Sequence, residues 1–236
     1  MNAKTISLAN GGRIVVTGGA SGLGAAVVSA VLEAGGTPVV LDRDISQVSG
    51  VKAFEVDVSD RAAVTVAVEE AAKTLGGLDA VVTAAGTDRC GRLDDVPADE
   101  WEKVIGVNLL GTVSVVRAAM PFLLASHGRV ITIASTLAKR GVSDATAYCA
   151  SKFGVLGFSQ ALAAETGGRM GVTTIIPGGM NTHFFDDRDE QYKPQDDSRL
   201  NDPARVAQAI LFALSQPVGC EIREMLICHE EEGSWP

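Results

Sequence analysis

A tyrosine and a lysine four residues apart, Tyr148 and Lys152 in Asp144-Ala145-Thr146-Ala147-Tyr148-Cys149-Ala150-Ser151-Lys152, can do chemistry if that segment is helical. The spacing puts phenol and ammonium on one helical face, where the cation stabilises a phenolate. A phenol that ordinarily titrates near pH ~10 then exchanges protons with an alcohol or a ketone at working pH. A strand-like run from Val130 to Ser135 lies just upstream and brings a hydroxyl with it. Tyr and Lys at this spacing are also common as solvated helix neighbours, so the surrounding elements decide between the two readings.

Near the N-terminus, Arg13-Ile14-Val15-Val16 reads as a buried strand running into Thr17-Gly18-Gly19-Ala20-Ser21-Gly22-Leu23-Gly24 and then an apolar helix over 25–34. Such a junction suits a pyrophosphate: glycines let the backbone approach closely, and the helix start offers unpaired N–H groups and the positive end of its dipole. A tight structural turn would share the glycines. The next strand, Thr37-Pro38-Val39-Val40-Leu41-Asp42, closes on a carboxylate about twenty residues after the glycines, where it can accept hydrogen bonds from an adenosine ribose. That carboxylate repels a 2′-phosphate, and Ala20 and Ser21 put no cation in the turn, so NAD(H) is expected over NADP(H); Arg43 is the contrary signal.

With these pieces in order the chain resembles the short-chain dehydrogenase/reductase family, in its compact single-domain form. The T-G-x-x-x-G-x-G motif falls on Thr17, Gly18, Gly22 and Gly24, and Y-x-x-x-K on Tyr148 and Lys152. The catalytic Ser falls on Ser135, the catalytic Asn on Asn108, and the P-G motif on Pro177-Gly178-Gly179, followed by Thr182. The resemblance implies roles. Tyr148 is the general acid/base, Lys152 lowers its pKa and bonds the nicotinamide ribose, Ser135 bonds the reacting oxygen, and Asn108 completes a proton relay through water. It also implies that Ser21, Leu23, Arg43, Val58, Ala84, Ala85, Gly86 and Pro177 line the cofactor with the glycines, and that Asp57 lies near the adenine amino group. Asp57 can equally cap a helix starting near Ser59. One departure stands out: N-N-A-G is replaced by Thr83-Ala84-Ala85-Gly86, which loses two asparagine side chains that would tie adjacent loops.

The 236 residues, 46% of them hydrophobic, fit one α/β domain across 1–236. Strands are expected at 13–17, 37–42, 53–57, 80–83, 130–135, 172–176 and 223–228, alternating with helices at 22–34, 61–75, 99–124, 145–165 and 203–215. That alternation predicts a Rossmann-type doubly wound parallel sheet of about seven strands with helices on both faces and chemistry at the strands' carboxyl ends. Gly106, Asn108 and Gly111 are poor formers inside the long third helix; Asn108 either faces solvent or marks a distortion whose freed carbonyl holds a water linked to Lys152.

Other classes are disfavoured. A net charge of −9 argues against nucleic acid or an anionic membrane as partner. No apolar run of membrane-spanning length and no secretory leader is read, so a cytoplasmic location is expected. Cys90, Cys149, Cys220 and Cys228 are expected as reduced thiols, and His127, His183 and His229 are too scattered for a metal site. The expected partner is a small alcohol or ketone. A nucleotide-sugar epimerase or dehydratase and a cofactor-sensing regulatory protein are the alternatives, disfavoured by chain length and by the complete catalytic set.

Substrate choice is assigned to the polar stretch 181–200, whose Phe184, Phe185 and Tyr192 either close over a substrate or pack on the sheet. Arg89, Lys139 and Arg140 flank the pocket, as acceptors of an acidic group or as solvated surface. The helix carrying Tyr148 continues through Phe153, Val155, Leu156, Phe158, Ala161, Leu162 and Ala164, apolar over more than one stripe. A homo-oligomer is therefore expected, a dimer or a tetramer built from two such dimers; the family resemblance implies packing across this helix, and Trp235 is a further contact.

Overall fold

The computed structural model describes residue 8 and residues 12–233; Trp235 lies outside them. Seven strands form one all-parallel sheet: β1 (Arg13–Thr17), β2 (Thr37–Asp42), β3 (Lys52–Glu55), β4 (Ala80–Thr83), β5 (Arg129–Ile133), β6 (Gly171–Pro177) and β7 (Glu224–Ile227). Their order is β3-β2-β1-β4-β5-β6-β7, so the winding reverses between β1 and β4. Loops diverge there and leave a crevice at the carboxyl ends of the strands. The helices are α1 (Gly22–Glu33), α2 (Arg61–Leu75), α3 (Ala98–Ile105), α4 (Thr112–Ser126), α5 (Thr146–Glu165) and α6 (Pro203–Leu214).

Alternation along each strand builds two cores. Ile14, Val16, Val40, Val82 and Ile131 point to the side covered by α1 and α6. Val15, Val39, Leu41, Val81 and Val130 point to the side covered by α2 and α4, with α5 supplying Leu162 and Ala163.

Three expectations change. β3 and β5 end two residues early, because Asp57 and Ser135 each start a tight turn rather than continue the ladder. Asp57 does not cap a helix: α2 starts at Arg61, and Asp60 caps it by accepting from the N–H groups of Ala62 and Ala63. Finally, the helix running Ala98–Ser126 spans 29 residues and is long and apolar enough to cross a membrane. It buries Val104, Asn108, Thr112, Val115, Val116, Ala119 and Leu123 on one side, and the last four of these pack into the core shared with α2. The expected distortion is present: Gly106–Gly111 is one π-helical turn between α3 and α4. A Cβ on Gly111 would lie 2.8 Å from Val58 Cγ2, so glycine lets the helix close on that loop.

Candidate active site

At the end of β1 the chain makes a turn only glycine fits. Gly18 has φ +67°, and a Cβ there would sit 2.7 Å from the backbone of Ala85; a Cβ on Gly24 would sit 2.0 Å from the Gly18 carbonyl oxygen. Thr17, at 1% exposure, accepts a hydrogen bond from the Ala85 N–H at 3.2 Å. This ties the loops after β1 and β4 together, a task that the missing asparagines put in doubt. Gly22 faces the Thr182 side chain, so the two segments expected to share a ligand are adjacent. Ser21 precedes α1 without capping it, which leaves the first-turn N–H groups, Leu23 and Gly24 among them, aimed at the crevice.

Asp42 closes β2 and accepts from the Ala20 N–H at 2.9 Å, so its carboxylate stands beside the glycine turn. Asp57 accepts from the Ser59 hydroxyl at 2.7 Å and its N–H at 2.8 Å; these bonds hold it below the usual carboxylate range, with a smaller contribution from Arg43.

The four expected catalytic residues converge at the ends of β4 and β5. Ser135 hydrogen-bonds Tyr148 and also accepts from the Leu137 N–H. Lys152, at 5% exposure, donates to the Ile133 carbonyl at 2.9 Å, and its Nζ lies 5.5 Å from the Tyr148 ring centroid. The expected electrostatics are corrected here. Burial, not the lysine, dominates the phenol and raises its pKa well above the ordinary value, with Asp88 adding and Ser135 opposing. Burial likewise lowers Lys152 to about 8.

Asn108 is not solvent-facing. At 1% exposure, its Oδ1 accepts from the Thr87 N–H at 2.8 Å, while its Nδ2 donates to the Thr87 carbonyl at 2.9 Å and Ser151 Oγ at 3.0 Å. Its main-chain carbonyl accepts from Thr112 Oγ1. Gly86 runs past both Asn108 and Lys152, where an added Cβ would lie 3.5 and 3.8 Å from them.

The segment 181–200 folds into three short 3-10 turns, the first of which meets this site. Phe184 approaches Tyr148 with ring centroids 5.8 Å apart, so this aromatic covers the site rather than the sheet. Arg89 is paired with Glu100 and Lys139 with Glu224, which gives two of the three flanking cations a resident counter-ion. Asp88 and Arg188 join the site without having been singled out from the sequence. The cue available was a lone arginine among Asp186, Asp187, Asp189 and Glu190. Among the described residues no cluster of three His, Cys, Asp or Glu is placed to hold a metal, and the four cysteines are free.

Known proteins resemble this chain. An uncharacterised oxidoreductase of Staphylococcus aureus strain MW2 is 34% identical over 226 residues, which cover 90% of this chain and 95% of the relative. A 2-dehydro-3-deoxy-L-rhamnonate dehydrogenase (NAD(+)) of Sphingomonas sp. strain SKA58 is 36% identical over 164 residues, 66% of each chain. An alcohol dehydrogenase from the archaeon Thermococcus sibiricus, solved with 5-hydroxy-NADP, superposes with a TM-score of 0.83 over 92% of this chain and 96% of its own, at 22% identity, a likeness of fold alone. The model of the short chain dehydrogenase family matches residues 13–193, and with a glycine turn, a Ser-Tyr-Lys cluster and a seven-stranded parallel sheet, this chain belongs to that family of oxidoreductases.

Proposed function

We propose that the protein interconverts a secondary alcohol and a ketone by hydride transfer, with NAD(H) preferred over NADP(H) and Tyr148 as general acid/base. The observation that carries this reading is the meeting of Ser135, Tyr148 and Lys152 beside a glycine cradle in which Gly18 and Gly24 leave no room for a Cβ. Gly18, Ser21, Gly22, Leu23 and Gly24 would hold the pyrophosphate, Asp42 the adenosine ribose, and Lys152 the nicotinamide ribose. The nicotinamide supplies the hydride chemistry when bound. Ser135 and Tyr148 hold the substrate oxygen, and a phenol kept protonated by burial gives its proton to the oxygen of a carbonyl under reduction. The NAD(+) in the Sphingomonas relative's name agrees with the position of Asp42; the NADP derivative in the archaeal structure does not.

We further infer a homo-oligomer built across α5. Val155, Leu156 and Leu162 are buried within the subunit, but Phe153 is 46% exposed and Ala161 and Ala164 share its outward side. The test of activity is oxidation of reduced cofactor with a panel of ketones, keto acids, sugars and ketoacyl thioesters, for the native protein and Tyr148→Phe. The variant is expected to lose ~10²–10⁴-fold in turnover with cofactor affinity retained. Near-normal hydride transfer by a folded Tyr148→Phe protein would overturn the mechanism.

A further inference from the structure

The segment 181–200 is fastened over Tyr148 by a contact outside both the glycine cradle and the Ser-Tyr-Lys cluster. Arg188 Nη2 lies 2.5 Å from Asp88 Oδ2, and Nη1 donates to the Tyr192 carbonyl at 3.2 Å. The Asp88 side chain is 3% exposed and that of Arg188 19%. The guanidinium carbon lies 4.6 Å from the Phe185 ring centroid and 5.5 Å from that of Phe184, the ring that faces Tyr148. Phe184 thus joins the pair to the Tyr148 ring.

Asp88 is a rigid anchor. Its carboxylate also accepts from the Arg89 N–H at 2.7 Å and from Cys90 Sγ at 3.3 Å. The residue before it, Thr87, has both main-chain polar groups held by Asn108. A continuous chain of contacts therefore runs from the π turn through Thr87 and Asp88 to Arg188, Phe184 and the Tyr148 ring.

We propose that Asp88 and Arg188 are positioning residues for the reaction: their pairing seats the 181–200 segment so that Phe184 covers Tyr148 and a substrate carbonyl is held against the phenol away from water. If the segment swings out, Asp88 stays in its recess and loses its counter-ion, which is the costly half of breaking a buried pair. Arginine suits the position because one planar group bonds the carboxylate and stacks on two rings, which an ammonium cannot do. Exclusion of water strengthens every polar contact to the substrate oxygen, so the pair acts on substrate binding and turnover and not on the distant adenosine end.

This inference rests on the reading of Tyr148 as acid/base, and its test separates the two. Amide exchange over 184–192 is measured in the cofactor-free native protein and in Asp88→Asn, Arg188→Gln, Arg188→Lys and the Asp88→Asn/Arg188→Gln double variant. Either single neutralisation is expected to speed exchange ~10-fold, and the double variant to add less than about twofold, since one contact is lost in all three. Arg188→Lys, which keeps the charge without the fork, should exchange faster than native. In steady-state assays the substrate KM should rise ~10-fold or more while the cofactor KM stays within about twofold. Exchange within twofold of native in both single variants would overturn the latch, and faster exchange with unchanged substrate KM and kcat would overturn its positioning role. A native protein inert toward every substrate offered, yet with a lid that opens on Asp88→Asn, would sink the proposed activity and leave the latch standing.

Discussion

Replacing Lys152 by methionine should change how stability depends on pH in a way the buried site fixes. In the folded protein the ammonium is driven from its ordinary 10.5 to about 8 by burial, at 5% exposure, whereas in the unfolded chain it returns to its ordinary value. At ~1.4 kcal/mol per pH unit, the charged form is disfavoured in the folded state by roughly 3 kcal/mol. The sign follows from proton counting. Between pH 8 and 10.5 the unfolded chain binds more protons than the folded one, so stability rises with pH across that window and the penalty is fully present below pH 8. Tyr148 acts oppositely, since its raised pKa makes the folded state lose stability above pH 10; measurement should therefore stop short of that point. From pH 7 to 9.5 the native protein is expected to gain about 2 kcal/mol relative to Lys152→Met, which lacks the titration. Urea unfolding of both proteins at equal protomer concentration reads this as a closing gap in midpoint. Loss of the hydrogen bond to the Ile133 carbonyl adds a cost independent of pH and does not alter the slope. A gap constant to within about 0.5 kcal/mol would show that Lys152 is not desolvated, and the electrostatic account of the site would fail.

Other expectations follow from single contacts. Gly24→Ala puts a Cβ 2.0 Å from the Gly18 carbonyl, so it should displace the turn and abolish cofactor binding by calorimetry; native affinity would refute the cradle. Asp42→Ala removes the acceptor beside Ala20 and should lower the NAD(H)-to-NADP(H) ratio of specificity constants ~10-fold or more. A clear NADP(H) preference in the native enzyme would sink that assignment. Light scattering at low micromolar concentration should give at least twice the 24.4 kDa subunit mass, and Phe153→Glu should shift it toward monomer. A native protein that stays at the subunit mass on dilution contradicts the oligomer.

The sheet was legible because its signals are local. Continuously apolar strands such as Ile14-Val15-Val16 and Val39-Val40-Leu41 must bury both faces, and Gly18 marks where the first of them stops. Strand and helix ends were less legible, since they depend on which side chain wins a backbone N–H. Asp57 and Asp60 are three residues apart, both preceding a helix, and both plausible caps. Asp57 spends its carboxylate on Ser59, so the cap falls to Asp60. The π turn was readable only as a cluster of poor helix formers; the close approach of Gly111 to Val58 beside it is a contact between residues 53 positions apart.

The site divides in the same way. Residues whose spacing alone brings them together, Tyr148 and Lys152 on α5 or Gly18 to Gly24 around a turn, could be placed from the sequence. Their energetics could not, because a pKa depends on how far water is excluded, and that is set by segments distant in the chain. Helical spacing argues for a lysine that lowers the tyrosine pKa; a recess closed by Phe184 argues the reverse, and burial prevails since the ammonium turns to Ile133 instead of the phenol. Asn108 shows the same principle. The family resemblance implies a relay; all three side-chain bonds of Asn108 go to Thr87 and Ser151, so its first physical effect is to fix the loop that carries Asp88. Since Asp88 meets its partner a hundred residues later, the local cue is confined to a lone arginine among acids at 186–190, and only the folded chain brings the lid's anchor and the reacting tyrosine into one neighbourhood.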